Sequence, residues 1–490
     1  MHLTVQQDAR MLNWSRTSRW LALAIGIPVM VSCGVRSAST PLNAVPEPDP
    51  EAIIAPPTPS ADSWVMQSGN VQRNGFQSAP VGLTSANAAS LTLLWSDDLG
   101  DQIQASPIVA NGIVYVATVG GEMFALSAAT GSIIWMTALH GFVRATPTLD
   151  GSTLIVTMHG TGAVAALDAK TGATLWLTPS SAWTSAAPVR SEALVQNGIV
   201  YVGTAGGDLP TCDSGTVEAL SEITGAPLWT WKAASPGQGV GVWSPISLTS
   251  SGDVLVGTGN PCETGDKYNE SVVALNAVTG AFDWQAITSR QGPDVDVGGG
   301  VAIASNSGFF SGKDGNLYAI SLANGTPMWH VNLGSVPGYG SIATPATDGS
   351  NVITQSGALR DPAQNAAAGS KLFNYSIAGN LKWAAGPFQD EEFSSPVITG
   401  DVVVVDIDNM LQVRSLQNGT LLFSYDLGSF VYASPAVVSS GIYTASTGGK
   451  VVALGNGGVA PSAAIRHVHV AARSLAPWRP WQNAPTENPH

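Results

Sequence analysis

Charged residues are scarce in this chain. Only 11% of its 490 residues are Asp, Glu, Lys or Arg, well below the roughly 25% of typical proteins. The charge that remains is mostly negative, and the formal net charge at pH 7 is −14. A chain of this sign is repelled by nucleic acid and by anionic membranes, so neither is expected as the main partner. Gly, Ser, Thr and Ala are abundant in place of charged residues, a composition that suits β-sheet with tight turns.

Histidine and cysteine are also rare. There are seven His, of which His2, His467, His469 and His490 lie near the ends, and three Cys. The sequence therefore argues against a His-based metal centre and against a Ser/His/Asp triad. The chain has no CxxCH motif, which excludes an attached c-type haem domain.

The N-terminal apolar run is short. "WLALAIGIPVMV" (20–31) has 12 residues, follows Arg10, Arg16 and Arg19, and is too short to span a membrane as a mature helix. It ends at "MVSCG", which resembles a bacterial lipoprotein signal with the small Ser32 before Cys33. We predict that 1–32 is a lipoprotein signal peptide and that lipidated Cys33 anchors the mature protein to a membrane. Because Met30 is unusual at its place, a plain secretory signal is the alternative.

Two segments carry no strand pattern. Residues 33–62 are rich in Pro and Ala and are predicted to form a flexible tether. Residues 455–490 are predicted to be a disordered tail. The folded domain is therefore expected to span residues 63–454.

A Gly turn followed by an aromatic residue recurs between these segments, as in "ALSAATGSIIW" (125–135) and "ALDAKTGATLW" (166–176). The aromatic residues are Trp95, Trp135, Trp176, Trp229, Trp284, Trp329, Trp383 and Phe423, at spacings of 40, 41, 53, 55, 45, 54 and 40. A period of about 40–50 residues with short strands is typical of a β-propeller. One aromatic per repeat at a fixed position indicates packing between neighbouring blades.

Each repeat contains four strand-like runs. The first has "ASPIVA" (105–110), "IVYVAT" (113–118), "MFALSA" (123–128) and "SIIWMTA" (132–138), with a hairpin turn at Asn111-Gly112. The predicted blades are 105–138, 145–178, 186–231, 243–286, 300–331, 343–385, 394–425 and 433–454. The last has only three runs, and the strand 91–99 is expected to complete it. We predict an all-β fold, an eight-bladed propeller of four-stranded antiparallel blades, whose closure leaves no exposed edge at the seam.

The insertions predict which face binds ligands. Strands of a meander alternate in direction, so the second–third turns and the links between blades share one face. The longer insertions fall mostly on that face: 204–216, 259–271, 285–299 and 355–371. Insertions gathered on one face of a repeat protein indicate its binding face.

The ring, with its entry "SWVMQSGNVQRNGF" (63–76), resembles the pyrroloquinoline quinone (PQQ) repeat propellers. These include quinoprotein alcohol dehydrogenases, polyvinyl-alcohol dehydrogenase-like proteins and a non-enzymatic outer-membrane assembly lipoprotein. Resemblance of the repeats alone does not distinguish an enzyme from a scaffold, so the distinction depends on the site residues.

Residues 239–300 resemble the cofactor segment of the quinoprotein dehydrogenases. The resemblance implies that Trp243 is the floor under PQQ and that Asp296 in "GPDVDVGG" is the catalytic base and a metal ligand. It implies that Asn260 in "GTGN" and Asp208 in "GGDL" bind Ca²⁺, and that Lys313 in "SGKDGNLYAI" contacts the quinone oxygens.

These residue types suit that chemistry. An indole stacks on a flat quinone, and Ca²⁺ prefers oxygen ligands. A carboxylate accepts the alcohol proton, and a fixed cation stabilises negative charge on the reduced quinone. The implied protein is an exported, envelope-located dehydrogenase, periplasmic or on the cell surface. It would oxidise a small or polymeric alcohol by hydride transfer to PQQ with Ca²⁺ and pass electrons to a separate acceptor. The alternatives are a non-catalytic envelope scaffold and a quinoprotein that has lost its cofactor.

The chain departs from the dehydrogenase pattern in three places. Asp208 stands where the family has Glu, no aromatic follows Asp296, and the vicinal Cys pair of many members is missing at "GFVRATPT" (141–148). Cys212 and Cys262 lie on equivalent loops of adjacent blades. In an oxidising compartment we expect a disulfide between them, with two unrelated thiols as the alternative.

Overall fold

The structure is a computed structural model. It describes residues 60–159, 161–178, 191–205, 214–233, 240–259, 267–288, 295–335, 338–357, 360–361, 366–367, 369–389, 393–456 and 466–467. These residues belong to one compact unit that begins at Pro48. The predicted signal peptide, most of the tether, and Cys33, Asp208, Cys212, Asn260 and Cys262 lie outside the described residues.

The predicted eight-bladed propeller is confirmed. Eight antiparallel sheets follow one another along the chain, each a meander of strands A to D from the centre outward. Blade 1 has strands Ile108–Ala110, Ile113–Ala117, Glu122–Ser127 and Ile133–Ala138, and blade 2 has Thr148–Asp150, Thr153–Thr157, Val164–Asp168 and Thr174–Thr178. Blade 3 has Leu194–Gln196, Ile199–Gly203, Thr216–Ser221 and Pro227–Lys232, and blade 4 has Ser247–Leu248, Asp253–Gly257, Ser271–Asn276 and Phe282–Ile287.

The second half repeats the pattern. Blade 5 has Ala302–Ala304, Ser307–Ser311, Asn316–Ser321 and Pro327–Asn332, and blade 6 has Ala346–Thr347, Asn351–Gln355, Leu372–Ser376 and Leu381–Ala385. Blade 7 has Val397–Thr399, Val402–Ile407, Met410–Ser415 and Leu421–Asp426, and blade 8 has Ala436–Val438, Gly441–Ala445, Lys450–Asn456 and, as strand D, Leu91–Asp98. A small hairpin, Arg360–Asp361 with Ala366–Ala367, is inserted in blade 6. Among the described residues the one helix is a 3₁₀ turn at Ala88–Ser90.

The ring closes as predicted. Leu91–Asp98 pairs antiparallel with Lys450–Asn456, so the N-terminal strand completes the last blade. A short strand from the segment that we predicted to be a disordered tail is added to the outer edge of that blade. It is Arg466–His467, which pairs in parallel with Asp97 and Asp98.

The repeated Trp residues interlock neighbouring blades. Each Trp of strand D lies against the glycine that turns strand C into strand D in the next blade, and a Cβ on that glycine would lie 2.4–2.9 Å from the ring. The pairs are Trp95–Gly131, Trp135–Gly172, Trp176–Gly225, Trp229–Gly280, Trp284–Gly325, Trp329–Gly379 and Trp383–Gly419. Phe423 of blade 7 breaks the pattern because strands C and D of blade 8 come from opposite ends of the chain and have no turn between them.

A ring of hydroxyl groups joins the blades near the axis. Two residues before strand A, a backbone N–H donates to the hydroxyl of the equivalent residue in the next blade. The bonds are Gly300 to Thr344 (2.9 Å), Thr344 to Ser395 (3.0 Å), Ser395 to Ser434 (2.8 Å), Ser434 to Ser106 (2.8 Å) and Ser106 to Thr146 (3.2 Å). Blades 3 and 4 have no hydroxyl at the equivalent places. In blade 3 the carboxylate of Glu192 accepts from Thr146 instead (3.0 Å), and in blade 4 Pro245 can neither donate nor accept such a bond.

Residues 61–77, here called the clasp, run around the inside of the ring and contact all eight blades. The main chain of the clasp hydrogen-bonds with residues in or next to strand A of seven blades. The partners are Ala61 with Ser439, Trp64 with Val109, Val65 with Leu149, Val71 with Leu248, Gln72 with Ile303, Asn74 with Thr347 and Gly75 with Ile398. Each of these partners lies near the end of strand A that leads into strand B, so the clasp lies at the face opposite the links.

Blade 3 is reached by a side chain of the clasp. The guanidinium of Arg73 is fully buried and donates to the carbonyls of Ala193 in blade 3 (2.9 Å) and Ile246 in blade 4 (2.9 Å). Its third bond goes to the carbonyl of Gln67 within the clasp (2.8 Å). Arg73 therefore bridges the two blades at which the hydroxyl ring is interrupted. Burial lowers the pKa of Arg73 to about 10, opposed by the nearby Glu192 carboxylate, and the group stays charged at neutral pH.

Candidate functional site

Two rings of residues line the mouth of the central channel on the face of the links. The backbone N–H that follows strand B donates to the carbonyl six residues before strand A. This bond recurs from Val119 to Gln102, His159 to Phe142, Gly259 to Gly241, Lys313 to Asp296 and Thr447 to Phe430. We call the five acceptor residues the upper tier. The residue four positions before strand A belongs to the lower tier.

The alternation of burial supports this arrangement. Between the tiers stands a fully buried residue in each case: Ile103, Val143, Val242, Val297 or Val431. Successive side chains of an extended segment point to opposite sides, so both tiers point away from the blade core and toward the mouth. The lower tier comprises Gln104, Arg144, Trp243, Gly298, Ile342, Phe393 and Tyr432, and all except Gly298 are half-buried.

Blades 4 and 5 bring three predicted site residues together. Lys313 Nζ lies 2.8 Å from Asp296 Oδ2 and 5.4 Å from the centroid of the Trp243 ring. The ion pair is buried, with Asp296 and Lys313 only 4% and 6% exposed. Asp296 is in the upper tier and Trp243 in the lower tier, so an acid, a cation and an indole meet at one side of the mouth.

Lys313 is held rigidly by its backbone. Its N–H donates to the Asp296 carbonyl (2.9 Å), and its own carbonyl accepts from the N–H groups of Gly338 (2.9 Å) and Gly340 (3.1 Å). A Cβ on Gly340 would lie 2.6 Å from the Lys313 Cα. Only glycine permits this approach, so main-chain contacts from the next link fix the backbone of Lys313, and the bond to Asp296 Oδ2 locates its ammonium group.

The turn that carries Lys313 is anchored by Asp314. This carboxylate is fully buried and accepts hydrogen bonds from Asn316 Nδ2 (2.8 Å) and the Tyr318 hydroxyl. Tyr318 is stacked on Phe310, with centroids 5.0 Å apart and an interplanar angle of 13°. The sequence "KDGNLY" thus encodes a turn pinned to strand C of blade 5.

Gly259 and Gly298 lie close against the indole, where a side chain would not fit. A Cβ on Gly298 would lie 2.1 Å from Cη2 of Trp243, and one on Gly259 would lie 3.0 Å from Asp296 Oδ1 and 3.3 Å from Trp243 Nε1. Gly241, by contrast, leaves an ordinary 3.4 Å contact with the indole. Gly298 occupies in blade 5 the tier position of Trp243 in blade 4, and no larger residue fits beside that ring.

The other predicted site residues lie outside the described residues. They are the two further metal ligands, Asp208 and Asn260, and the cysteines Cys212 and Cys262. Within the part of the chain that is described, no group of three or more His, Cys, Asp or Glu side chains is arranged to hold a metal. No described helix is long and apolar enough to cross a membrane.

An aromatic cluster that the sequence did not reveal lies on the opposite side of the mouth. Tyr432 is stacked on Phe393 (4.9 Å between centroids, 28°) and edge-on to Phe430 (5.1 Å, 72°). Blade 8 stands opposite blade 4 in a ring of eight, so Tyr432 lies across the axis from Trp243 in the same tier. The sequence signal for these residues is their position four or six residues before strand A. It can be recognised only when the start of strand A is known.

The fold and the site define the class: an eight-bladed propeller with an acid, a cation and an indole at one channel mouth. A PQQ-repeat family model, described as "Outer membrane protein assembly factor BamB", matches residues 82–215 and 313–470, and the chain belongs to this family. The two matched stretches flank residues 216–312, the segment that contains Trp243 and Asp296.

Curated relatives fall into two functional groups. The chain is 25% identical to lupanine 17-hydroxylase [cytochrome c] of Pseudomonas sp over 46% of its length, a match that spans only 39% of that protein. It is 25% identical to polyvinylalcohol dehydrogenase of Sphingopyxis sp. (strain 113P3), covering 82% of this chain and 73% of the relative. It is 24% identical to the assembly factor BamB of Burkholderia pseudomallei (strain K96243), covering 72% and 84%.

Solved structures from both groups share the fold of this chain. The quinohemoprotein alcohol dehydrogenase of Comamonas testosteroni superposes with a TM-score of 0.70 at 17% identity, covering 85% of this chain and 83% of that one. BamB of Moraxella catarrhalis superposes with a TM-score of 0.57 at 20% identity, covering 74% and 97%. At these identities the similarity establishes the propeller fold only. The function must be argued from the residues of the site.

Proposed function

We propose that this protein is an exported quinoprotein-like dehydrogenase that oxidises an alcohol with PQQ as hydride acceptor and Ca²⁺ as the assisting ion. The observation that carries the proposal is the convergence of Trp243, Asp296 and Lys313 at the mouth. The three residues come from two blades, and their assigned roles require one shared location.

The described residues fit PQQ. Trp243 is a half-buried indole, and the equivalent position of the next blade is Gly298, which contributes no side chain beside it. From the same blade Lys313 Nζ lies over the ring, 5.4 Å from its centroid. A flat conjugated ring system stacks favourably on an indole. Lys313 supplies a fixed positive charge beside that ring for an anionic, oxygen-rich partner. PQQ, when bound, would supply an ortho-quinone carbon that accepts the hydride.

Asp296 is the residue proposed to move the proton. Its carboxylate would accept the hydroxyl proton at the alcohol oxygen as hydride leaves the adjacent carbon. Lys313, bonded to Oδ2, orients the carboxyl group and stabilises its charge while it is buried. The backbone contacts that fix Lys313 therefore also fix the base.

The Ca²⁺ part of the proposal depends on Asp208 and Asn260 together with Asp296. Carboxylate and amide oxygens are the ligands that Ca²⁺ prefers, so the donor set is chemically suitable. The shorter reach of Asp at 208 relative to Glu requires a closer approach of its loop to Asp296.

PQQ binding is the first test, because it does not depend on the identity of the alcohol. We expect titration of PQQ into the full-length protein with Ca²⁺ to quench tryptophan fluorescence. Gly298→Ala would place a methyl group against the indole and weaken binding at least tenfold. Gly241→Ala, which leaves an ordinary contact with the same ring, is the matched control and is expected to bind as the wild type does. Equal binding by both variants would exclude a site on Trp243.

Turnover is the second test. The reconstituted protein is expected to reduce an artificial dye with some member of an alcohol panel, and Asp296→Asn to lower kcat about 10²- to 10⁴-fold, the usual contribution of a general base. Lys313→Met is expected to lower kcat as well, because it removes the cation bonded to Asp296. Lys170→Met, which removes the charge of an exposed turn lysine, is its charge-matched control. Full activity of Asp296→Asn would remove this mechanism.

A second candidate function is a non-catalytic scaffold of the cell envelope. It is favoured by the family model, whose description is that of an outer-membrane assembly factor, and by the BamB relatives. This alternative predicts no PQQ binding at any Ca²⁺ concentration. It also predicts that changes at Asp296 and Lys313 affect only the binding of a protein partner.

A further inference from the structure

We propose that Phe393, Phe430 and Tyr432 form a substrate-selecting wall that favours alcohols with a large apolar substituent over methanol and ethanol. This inference rests on the proposed dehydrogenase function and names the substrate class of that same site. It concerns residues of blades 7 and 8, whereas the proposed chemistry belongs to blades 4 and 5.

The location of the cluster is the first argument. Phe393 and Tyr432 are in the same tier as Trp243, and Phe430 is in the same tier as Asp296. They stand three or four blades away, which is the far side of a ring of eight. An alcohol whose hydroxyl group reaches Asp296 directs its remaining atoms away from that carboxylate and toward this far side. A substituent of several carbons would then meet the three rings, whereas methanol has none to reach them.

The geometry of the cluster is the second argument. The stacked pair Phe393–Tyr432 and the edge-on contacts of Phe430 with both rings fix the three side chains against one another. All three remain half-buried, so part of each ring still faces the mouth. A surface of mutually fixed rings binds an apolar group with little loss of side-chain entropy.

Packing of the links does not account for these aromatics. The equivalent tier positions in other blades include polar or small residues, such as Gln102, Gln104, Gly298 and Gly340, so the fold does not require an aromatic there. Phe142, Trp243 and Ile342 are the large apolar exceptions. The packing role belongs to the intervening residue, such as Val431, which is 1% exposed. The links of blades 7 and 8 therefore carry aromatic side chains beyond what the fold requires.

The selectivity of the loaded enzyme is the first measurement. We expect kcat/KM to be higher for 2-phenylethanol than for ethanol, and Tyr432→Ala or Phe430→Leu to lower this ratio at least tenfold while ethanol turnover changes little. Contacts with a few carbon atoms of a substrate give discrimination of this size. Phe142→Ala removes an aromatic from the upper tier of blade 2, where the side chain is 41% exposed, and should leave the ratio unchanged.

The binding of 2-phenylethanol to the protein without PQQ is the second measurement, followed by saturation-transfer NMR. We expect weaker binding by Tyr432→Ala and wild-type binding by Phe142→Ala. If no alcohol is oxidised but the aromatic variants bind the probe more weakly, the proposed function fails and substrate selection fails with it, while the cluster is supported as a binding surface for apolar alcohols. If the variants oxidise both alcohols with the wild-type ratio, bind the probe equally well and differ only in melting temperature, the cluster is packing and the wall is refuted. An equal loss in Phe142→Ala would also overturn the assignment to blades 7 and 8.

Discussion

Asp406 is a carboxylic acid at a position where the other blades carry neutral residues. It lies in strand B of blade 7 and is fully buried. The equivalent residues are Ala117, Thr157, Gly203, Gly257, Ser311, Gln355 and Ala445. Its Oδ2 accepts a hydrogen bond from Thr444 of blade 8 (2.7 Å), and its Oδ1 has no hydrogen-bond partner among the described residues. Burial raises the pKa of Asp406 to about 8, opposed by the Thr444 hydrogen bond.

This pKa makes the free energy of unfolding depend on pH. An unfolded Asp ionises near pH 4, whereas the folded protein holds the proton until about pH 8. Between these values the folded state binds more protons, so the contribution of Asp406 to stability falls as pH rises from about 4 to 8 and then levels off. We expect Asp406→Asn to equal the wild type near pH 4 and to exceed it in stability at pH 8.5, measured by urea denaturation.

Asp401 provides a control of opposite sign. Hydrogen bonds from the side chain and the backbone of Ser85 lower the pKa of this exposed carboxylate. Its contribution is present above about pH 4 and is lost in acid, so Asp401→Asn should reduce stability at neutral pH and match the wild type in acid. Parallel pH profiles for wild type and Asp406→Asn would contradict a neutral buried carboxyl group.

The predicted site residues came from sequence motifs, whereas residues that are defined by their distance from a strand were not predicted. Trp243, Asp296 and Lys313 stand in motifs with fixed neighbours, and the structure places them together. Phe430 and Tyr432 have no such motif, because their significance is a distance of six and four residues before strand A. Arg73 was also invisible, since its three partners lie 6, 120 and 173 residues away in sequence.

At the scale of the strands, the Trp–Gly interlock is the main repeated contact between blades. Gly172 has φ +72°, and a Cβ there would lie 2.6 Å from the Trp135 ring. Gly198 has almost the same φ, +76°, with nothing within 4 Å of such a Cβ. The two glycines have nearly the same positive φ and differ strongly in what lies beside them.

This pair separates the backbone cost from the packing cost. We expect Gly198→Ala to lower the free energy of unfolding by about 1 kcal/mol, the usual cost of a left-handed conformation for a residue with a Cβ. Gly172→Ala should cost about 1–3 kcal/mol more, because the indole must move. Chemical denaturation of the two variants measures the difference. Equal losses would show that the indole moves aside freely and that the interlock contributes little.

The strand pattern was predictable because each blade repeats the same local sequence pattern. Alternating apolar residues and Asn-Gly or Thr-Gly turns specify a four-stranded meander without reference to the rest of the chain. The clasp was not predictable in the same way. Its residues 61–77 form no regular strand apart from Phe76–Gln77, and their hydrogen bonds go to different blades.

At the scale of the whole molecule, Arg73 joins blades 3 and 4. We expect Arg73→Met to lower the free energy of unfolding by about 3–5 kcal/mol, because three buried carbonyls lose their donors and the neighbouring buried Glu192 loses its compensating charge. Arg73→Lys should recover little, since an ammonium group cannot reproduce the planar fork.

Hydrogen exchange locates this effect. Faster exchange should appear first in strands A of blades 3 and 4, at Leu194–Gln196 and Ser247–Leu248, and not in blades 6 and 7, where the hydroxyl ring is continuous. Uniform acceleration around the propeller would show that Arg73 acts on global stability only.

The clasp and the closing strand also determine when the molecule is finished. Residues 61–77 and Leu91–Asp98 are synthesised before partners that include Ile398, Ser439 and Lys450–Asn456, which follow hundreds of residues later. The two segments must therefore wait for these partners, with their apolar surfaces uncovered while the intervening residues are synthesised. A ring built this way stays open to chaperones until blade 8 has been made.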